Sequence, residues 1–598
     1  MNRKTYPNGN ASELNTDTQA KLLSASLSGN GLNHGSKISN RDLSTLCWTV
    51  VAILLLFFCL THLGVLLYFS SGKSVSPFVA PVALVVSLIA GNWLARREGL
   101  RGLLLIWPPA IALVVVAISL PLAAAFFDMS WDGLWYHQTA IYQMDHGWNP
   151  LYEPMRGFTV HLQDWLRHYA KGPWYISLAL FRITHNIEWS KAAPWMMLAA
   201  TFFAVLAACI DFEMSRGKSV LIAALVALNP VITYQLATTQ VDGLLASYMA
   251  CFVAVTFSYF KRRSTLIVCV IAATAILCIN VKFTGLVYLC FISAAAGLYA
   301  IIKRRDVLFN YALVQIVPYL LGIFLFGYNP YVTNYVHRGH PFYPLMGTAA
   351  YPSHDQQGRD PVELFETPKN MIGRSALYRH FYGIFGRPYN IYDGSDVQFM
   401  WPFDVRWKDV EYFRFHELRI GGFGPLFSGA LIISLVLLAV AMFRPGISRG
   451  IILLSIVTII MSLAISRHTW WARFAPQLWW LPIIAVIAGL AVPGRRVLWW
   501  ASGGLAAILL INVILVAGVH FKWEFKVTRT TYEQLAFLKD KGDVEIDFAY
   551  FREPFSERLK AAGVTFHATR NMQGENIMEL MSVMPDNPLP VRARIKDE

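Results

Sequence analysis

The sequence predicts a polytopic α-helical membrane protein, and two observations predict it: the composition and the placement of the charges. Of the 598 residues, 55% are hydrophobic and 15% are charged, against about 25% charged in a typical soluble protein. The mean hydropathy of +0.43 excludes a single water-soluble globule, and so much apolar surface excludes disorder for most of the chain. The net charge of +14 does not indicate nucleic-acid binding, because the basic residues cluster in short loops between apolar runs.

Apolar runs long enough to cross a membrane recur along the chain. A bilayer core requires roughly 17–25 residues per helix. The sequence predicts about thirteen spans, at residues 44–69, 77–94, 103–126, 190–210, 219–236, 243–260, 264–280, 285–302, 308–327, 424–443, 450–466, 475–492 and 497–518. With the N-terminus in the cytoplasm, the short inner loops carry fifteen Lys and Arg residues and the short outer loops carry four. Positive residues concentrate in cytoplasmic loops, so this bias predicts an inner-membrane protein with its C-terminus on the periplasmic side.

The spans divide the chain into predicted regions. Residues 1–43 are polar and rich in Ser, Asn and Gly, which predicts a disordered cytoplasmic tail without the layout of a cleavable signal peptide. Residues 44–518 form the membrane body. Its two long loops, 127–189 and 328–423, lie on the outer face in this topology.

Two further segments complete the predicted outer surface. Residues 519–598 are predicted to form a small α/β domain, because the β-rich stretches 544–551 and 564–568 flank a charged helical stretch. The run 173–187 is apolar but short and amphipathic. Counting it as a span would move the basic clusters outward, so the sequence favours a helix lying in the outer interface.

The motif FFDMSWDGLWYH (126–137) directly follows the third predicted span. An acidic residue at the end of a membrane helix costs free energy unless it faces water or a partner. Asp128 and Asp132 are four residues apart, so on a helix they would share a face. Taken alone, the pair is equally well explained as solvated carboxylates at a helix exit. Tyr136 and His137 follow within one or two turns, and this favours a functional motif.

The motif and its surroundings resemble the glycosyltransferase C superfamily, multi-span enzymes that take sugars from polyprenyl-phosphate carriers outside the cytoplasmic membrane. In that family an Asp in the first large outer loop, often in an Asp-Glu-x-x-Tyr pattern, is the catalytic base, and an interfacial helix follows. The resemblance implies that Asp132 is the base and that Tyr136 matches the end of the pattern. KGPWY (171–175) opens the predicted interfacial helix. Gly133 replaces the usual second acid, and Asp128 is the second candidate for a catalytic carboxylate.

Looser similarities to the same family follow in order over residues 127–492. The resemblance implies substrate contacts at the outer ends of several spans, and an Arg close to the lipid phosphate in a late outer loop. The candidate residues are Asp242 in TTQVDG, Lys282 in NVKFTG, His340 in GHPFYP, and Arg467 and Arg473 in RHTWWARFAP.

The chemistry of sugar transfer from a lipid phosphate calls for such residues. A carboxylate can accept the proton of an attacking hydroxyl, and cations at the membrane surface can stabilise the leaving phosphate. Among the short outer loops near the motifs, only Lys282, Arg467 and Arg473 are basic. Lys282 is also explained as a snorkelling cation at a helix end, and His340 as a turn residue before proline. His137 is a candidate substrate contact.

Metal and nucleotide sites have weaker support in the sequence. The first outer loop contains His137, His146, His161, His168 and His185, but no pair has the tight spacing of a metalloprotease helix. We therefore assign no metal ligand and no certain cofactor, and leave a divalent metal open. No Walker-type or glycine-rich nucleotide fingerprint is present, which is consistent with a donor that is not a nucleotide sugar.

The function that the sequence favours is transfer of a sugar from a polyprenyl-phosphate donor to an acceptor on the outer face. The acceptor can be a protein, a lipid or a polysaccharide, and membrane lipids are the other expected partners. Two alternatives stay open: a transporter or flippase for a lipid-linked saccharide, and a glycan polymerase or ligase. Transporters tend to have internal repeats and charged midplane helices. No clear repeat is present and the acidic motif lies at an outer end, so the sequence favours an enzyme.

Overall fold

The computed structural model describes residues 38–152, 160–347, 367–390, 395–444, 448–464, 468–492, 494–570, 572, 575–580 and 590–595. Long apolar helices form a bundle, and a small sheet follows it. The helices are α1 Asn40–Ser70, α2 Val79–Arg97, α3 Trp107–Ala124, α4 Gln138–Asp145, α5 Val160–His168, α6 Gly172–Thr184, α7 Ala193–Asp211, α8 Arg216–Ala227, α9 Pro230–Thr233, α10 Asp242–Tyr259, α11 Thr265–Ile279, α12 Phe283–Lys303, α13 Leu308–Leu320, α14 Thr333–Arg338, α15 Ala376–Phe385, α16 Trp407–Glu411, α17 Phe427–Met442, α18 Arg449–Leu463, α19 Trp480–Ala491, α20 Arg496–Asp540 and α21 Arg552–Ala562. The strands are β1 Asp543–Asp547, β2 Thr565–Thr569, β3 Ile577–Glu579 and β4 Arg592–Ile595.

Eight helical segments among the described residues are long and apolar enough to cross a membrane: Asn40–Ser70, Val79–Arg97, Gly102–Ala124, Ile187–Asp211, Asp242–Tyr259, Phe283–Lys303, Arg305–Phe326 and Arg496–Asp540. Shorter apolar helices are Thr265–Ile279, Phe427–Met442, Arg449–Leu463 and Pro476–Ala491. These helices coincide with predicted spans. The chain is therefore a mostly α-helical, multi-pass membrane protein, as the sequence predicts, and the count of thirteen stays a prediction.

The first span begins at Asn40, earlier than the predicted residue 44. Ser39 caps α1, because its hydroxyl accepts a hydrogen bond from the Asp42 backbone N–H at 3.1 Å. Such a cap satisfies one of the free amides of the first helical turn. Residues 1–37 of the predicted tail lie outside the described residues.

The segment predicted as one span at 219–236 forms two helices. α8 ends at Ala227, and α9 begins at Pro230, which lacks the N–H that a continuing helix needs. Asn229 caps the second helix by accepting a hydrogen bond from the Val231 N–H at 3.0 Å, and its amide donates to the Pro476 carbonyl at 3.0 Å. The Asn229 side chain therefore stabilises the break between α8 and α9 through both its oxygen and its nitrogen atom.

The boundary predicted at residue 518 falls inside a helix. α20 continues for 45 residues to Asp540, well beyond the predicted end of the last span. Past the apolar stretch, Val527, Thr531, Leu535 and Leu538 are buried at spacings of three and four residues. At this spacing the buried side chains share one face of the helix. Packing of that face stabilises the part of α20 that continues beyond the membrane body.

The predicted interfacial helix at 173–187 is present as α6, but its environment differs from the prediction. Residues 172–181 are all buried, and the helix packs against α1 and α4. A helix that is apolar around its whole circumference is stabilised by burial on all sides. Protein rather than the membrane interface covers most of α6.

The two ends of the bundle carry different polar groups. At one end Arg262 lies 2.9 Å from Glu98 and 3.8 Å from Asp211, next to the start of α1. At the other end Asp242 begins α10 and Lys282 immediately precedes α12. The grouping matches the relative sidedness that the charge bias predicts, while the absolute orientation stays a prediction.

The C-terminal residues form the predicted small α/β domain. Its sheet has the order β2–β1–β4–β3, with β1 parallel to β2 through α21 and antiparallel to β4. The apolar core of this domain includes Val544 and Leu559, and it also takes in Phe127 and Leu134 from the first outer loop. The domain therefore packs directly on the loop that carries the acidic motif.

Arg558 of α21 connects the C-terminal domain to the membrane body. Its Nε donates to Glu188 Oε1 at 2.7 Å, and its Nη2 donates to the Asp128 carbonyl oxygen at 2.7 Å. Lys191 bonds the other carboxylate oxygen of Glu188. All of these residues are buried.

We expect Arg558→Met to destabilise the protein by about 3–5 kcal/mol, because the change leaves Glu188 Oε1 and the buried Asp128 carbonyl oxygen without the donor that Arg558 provides. The midpoint of thermal unfolding in detergent measures the effect. Arg529→Met is the matched control, since the Arg529–Glu533 pair is largely exposed and such surface pairs contribute little to stability. Equal shifts for the two variants would contradict a structural role for Arg558.

Candidate active site

Asp132 lies at the start of a widened helical turn. Residues Gly133–His137 form a π-helical turn that continues directly into α4, and such turns recur at functional sites. A Cβ at position 133 would overlap the Asp128 carboxylate and the Ser130 hydroxyl. A side chain at this position would therefore have to displace these two hydrogen-bonded groups.

Arg473 joins three carboxylates from distant parts of the chain. Its Nη1 lies 2.8 Å from Asp132 Oδ2 and 2.5 Å from Glu417 Oε2, and its Nε lies 3.8 Å from Asp242 Oδ2. The guanidinium stacks on Trp471, with 4.1 Å between Cζ and the ring centroid. The first outer loop, the second outer loop and the start of α10 thus converge on one cation.

Lys282 provides a second cation beside the first. Its Nζ lies 2.9 Å from Asp242 Oδ1 and 4.6 Å from the centroid of the Phe474 ring. The Asp242 side chain is 5% exposed and the Lys282 side chain 21% exposed. Asp242 therefore lies between two cations, and Lys282 keeps partial access to solvent.

The electrostatics of the site hold two groups in fixed protonation states. Burial disfavours the charge of Arg473, but the carboxylates of Glu417 and Asp132 outweigh it and hold the pKa of Arg473 well above its usual value. Burial raises the pKa of Tyr136 well above its usual 10, and the Asp132 carboxylate raises it further. A permanent cation and a neutral phenol thus lie next to Asp132 throughout the physiological pH range.

Aromatic side chains surround the widened turn. Tyr136 stacks on Trp165 with ring centroids 5.6 Å apart, and Tyr169 is 5.7 Å from Tyr136. His137 is buried, and its Nδ1 accepts a hydrogen bond from the Trp174 indole N–H at 2.7 Å. Burial lowers the pKa of His137 from 6.5 to about 4, against the opposing effect of Asp132. The imidazole is therefore neutral at pH 7 and acts as an acceptor toward Trp174.

The shift of His137 predicts a pH dependence of stability. Because its folded pKa lies below the unfolded value, its contribution is fully present above pH 6.5 and is lost as the pH falls from 6.5 to about 4. The loss amounts to about 3 kcal/mol at most. We expect the unfolding midpoint of His137→Asn, which keeps an acceptor but does not titrate, to fall less over this window than that of the wild type. If the unfolding midpoints of the variant and the wild type fell equally over this pH window, His137 would be excluded as the group that causes the loss of stability.

Asp128 lies beside the site but is fully engaged in backbone organisation. Its Oδ1 accepts hydrogen bonds from the Ser130 N–H at 2.9 Å and the Ser130 hydroxyl at 2.7 Å. Its Oδ2 accepts from the Thr239 N–H at 2.7 Å and the Thr239 hydroxyl at 2.6 Å. The residue is completely buried. With both oxygens occupied, Asp128 is suited to joining the first outer loop to the segment before α10.

Another predicted residue, His340, is not part of this cluster. His340 lies in a turn, where its Nδ1 accepts a hydrogen bond from the Phe342 N–H at 3.1 Å. This is the structural alternative that the sequence left open for it. Arg467 lies outside the described residues. The structure thus brings together Asp132, Tyr136, His137, Asp242, Lys282 and Arg473 of the predicted residues.

Sequence reasoning missed two members of the site, Glu417 and Tyr169. Glu417 contacts Arg473 directly, and Tyr169 packs against Tyr136. Glu417 lies close to residue 423, where the predicted second outer loop (328–423) ends. That position was the available signal for Glu417, whereas Tyr169 lies in an aromatic-rich loop without a distinguishing pattern.

Comparison with solved structures identifies a similarity to the "Crystal Structure of ArnT from Cupriavidus metallidurans bound to Undecaprenyl phosphate". The two chains are 12% identical, with a TM-score of 0.42, and the match covers 78% of this chain and 85% of that chain. No family model matches the sequence, and no curated protein matches it. The functional conclusion therefore depends on the residues of the site.

Proposed function

We propose that the protein is a membrane glycosyltransferase that moves a sugar from a polyprenyl-phosphate donor to an acceptor on the outer face of the inner membrane. The observation that carries the proposal is the contact of Asp132 with Arg473, beside Lys282, at one end of an apolar helix bundle. A carboxylate base and phosphate-binding cations are the two groups that the reaction requires. Undecaprenyl phosphate, present in the ArnT structure, belongs to the same lipid class as the proposed donor.

Each side chain then has a distinct part in the reaction. Asp132 accepts the proton from the acceptor hydroxyl, whose oxygen attacks the anomeric carbon of the sugar. The bond between that carbon and the phosphate oxygen breaks, and the polyprenyl phosphate leaves with the electron pair. Arg473 and Lys282 stabilise the charge on the departing phosphate. The phenol of Tyr136 and the neighbouring aromatic rings orient the sugar.

In the structure Arg473 is paired with Asp132 and Glu417. A phosphate that binds Arg473 must therefore compete with these carboxylates. When the phosphate replaces Asp132 as a partner of the guanidinium, the carboxylate oxygen is released from its hydrogen bond to Arg473. Donor binding thereby frees the carboxylate to accept the proton of the acceptor hydroxyl, which limits proton abstraction to the donor-bound state.

A transfer assay with purified full-length protein tests the proposal. Radiolabelled polyprenyl-phosphate sugars are supplied with a membrane fraction that provides protein, lipid and polysaccharide acceptors, and a nucleotide sugar serves as the control donor. We expect label to reach an acceptor from the lipid-linked donor alone. Movement of the lipid-linked sugar across reconstituted vesicles without any transfer would instead support the transporter alternative.

A further inference from the structure

A second cluster of polar side chains lies next to the candidate active site. It consists of His416 from the second outer loop and of His520 and Glu524 from α20, and all three residues are buried. One ligand atom from each residue lies within 4.8 Å of the others. His520 and Glu524 are four residues apart, so they share one face of α20.

The cluster leaves buried polar atoms without hydrogen bonds. Among the residues that the structure describes, both carboxylate oxygens of Glu524 and the Nε2 of His520 have no hydrogen-bond partner. His416 Nε2 lies 2.8 Å from Glu524 Oε1, but the two groups are not aligned as a hydrogen bond. A buried carboxylate is costly unless it is paired or coordinates a metal. The convergence of these buried atoms suits the binding of a positively charged ligand between them.

The orientation of His520 suits metal coordination. Its Nδ1 lies 3.3 Å from the Phe413 carbonyl oxygen, which can only accept a hydrogen bond. The proton is therefore on Nδ1, and the lone pair of Nε2 is available on the side of Glu524. Metal-bound histidines usually donate their other ring N–H to a carbonyl or carboxylate in this way.

We propose that His416, His520 and Glu524 bind a divalent transition-metal ion, with zinc as the best match. Two imidazole nitrogens and one carboxylate form a common zinc ligand set, which leaves one coordination position for water. Ligands of a tetrahedral zinc ion lie about 3.4 Å apart, so small side-chain rotations would complete the site.

The position of the site gives the ion a structural role. It joins the second outer loop to α20, and His416 is the immediate neighbour of Glu417, which holds Arg473. The metal would thus fix the segment that positions the phosphate-binding cation. This inference is independent of the reaction assigned to the active site.

Metal analysis of the full-length protein, purified without a histidine tag, tests the proposal. After incubation with zinc chloride and removal of free metal, we expect about one zinc ion per wild-type chain. His416→Gln and His520→Gln should retain almost none. His567→Gln is the matched control, because His567 also lies beside a carboxylate, 3.1 Å from Asp543, but is exposed. It should retain the wild-type amount.

A second measurement needs no variant that could fail to fold. Cobalt(II) added to the wild-type protein should give the visible absorption bands of a tetrahedral site, and zinc should displace them. Zinc should also raise the unfolding midpoint of the wild type but not that of Glu524→Gln. Absence of both zinc and cobalt signals in the wild type would overturn the proposal and leave a protonated His416 paired with Glu524. Wild-type zinc content in both histidine variants would overturn it equally.

Discussion

We expect Asp132→Asn to lower the rate of sugar transfer by about 10²–10⁴-fold, the range that a positioned general base contributes. The substitution keeps the shape of the side chain and removes its basicity. Arg473 retains Glu417 as a partner 2.5 Å away, so the variant should fold and still bind the donor. Single-turnover transfer from a labelled lipid-linked donor measures the effect.

Asp128→Asn is the control for this result, because Asp128 is the other acidic residue of the motif. We expect it to lower the unfolding midpoint, since an amide cannot accept all four hydrogen bonds from Ser130 and Thr239. A folded, inactive Asp128→Asn protein beside an active Asp132→Asn protein would reassign the base to Asp128. Full activity in both would exclude the proposed role of this loop.

We expect Arg473→Lys to reduce turnover by about 10²–10³-fold, the effect of losing one well-placed donor to a developing negative charge. Lysine keeps the charge that three carboxylates require, but it cannot hold Asp132 and Glu417 in the planar geometry of a guanidinium. The variant therefore keeps the positive charge of the cluster but removes the guanidinium geometry proposed to bind the phosphate. The KM for the lipid-linked donor should rise together with the loss of turnover.

Arg387→Lys is the matched control for Arg473→Lys. Arg387 also pairs with two carboxylates of the second outer loop, Asp409 at 2.7 Å and Asp404. Its partners are not part of the candidate site, so transfer should stay at the wild-type rate. Equal losses in the two variants would show that Arg473 acts only through the stability of the loop.

The sequence predicted which side chains share one end of the bundle. Asp132 and Arg473 are 341 positions apart, yet the positive-inside bias placed both on the outer face, and the structure joins them. The same argument placed Lys282 and Asp242 on the outer face. Sidedness is readable from sequence because charge placement along apolar spans determines it, whereas contact distances depend on how the helices pack.

The features that sequence reasoning did not predict depend on tertiary contacts. The break at Asn229 depends on a carbonyl of Pro476, and the extension of α20 depends on the domain that covers its apolar face. Glu417 and His416 lie in an irregular stretch whose position is set by Arg473 and by α20. No local periodicity marks such positions.

The central claim is that the donor phosphate displaces Asp132 from Arg473. The affinity of the Asp132→Asn protein for polyprenyl phosphate tests this claim most directly. If the phosphate competes with Asp132 for Arg473, removal of the carboxylate charge should tighten binding. An ion pair of this kind contributes on the order of 1 kcal/mol, so we expect binding to become about fivefold tighter. Thermophoresis of the detergent-solubilised wild type and variant measures the two dissociation constants. Tighter binding without turnover is the result we expect, and unchanged or weaker binding in Asp132→Asn would contradict the proposed exchange at Arg473.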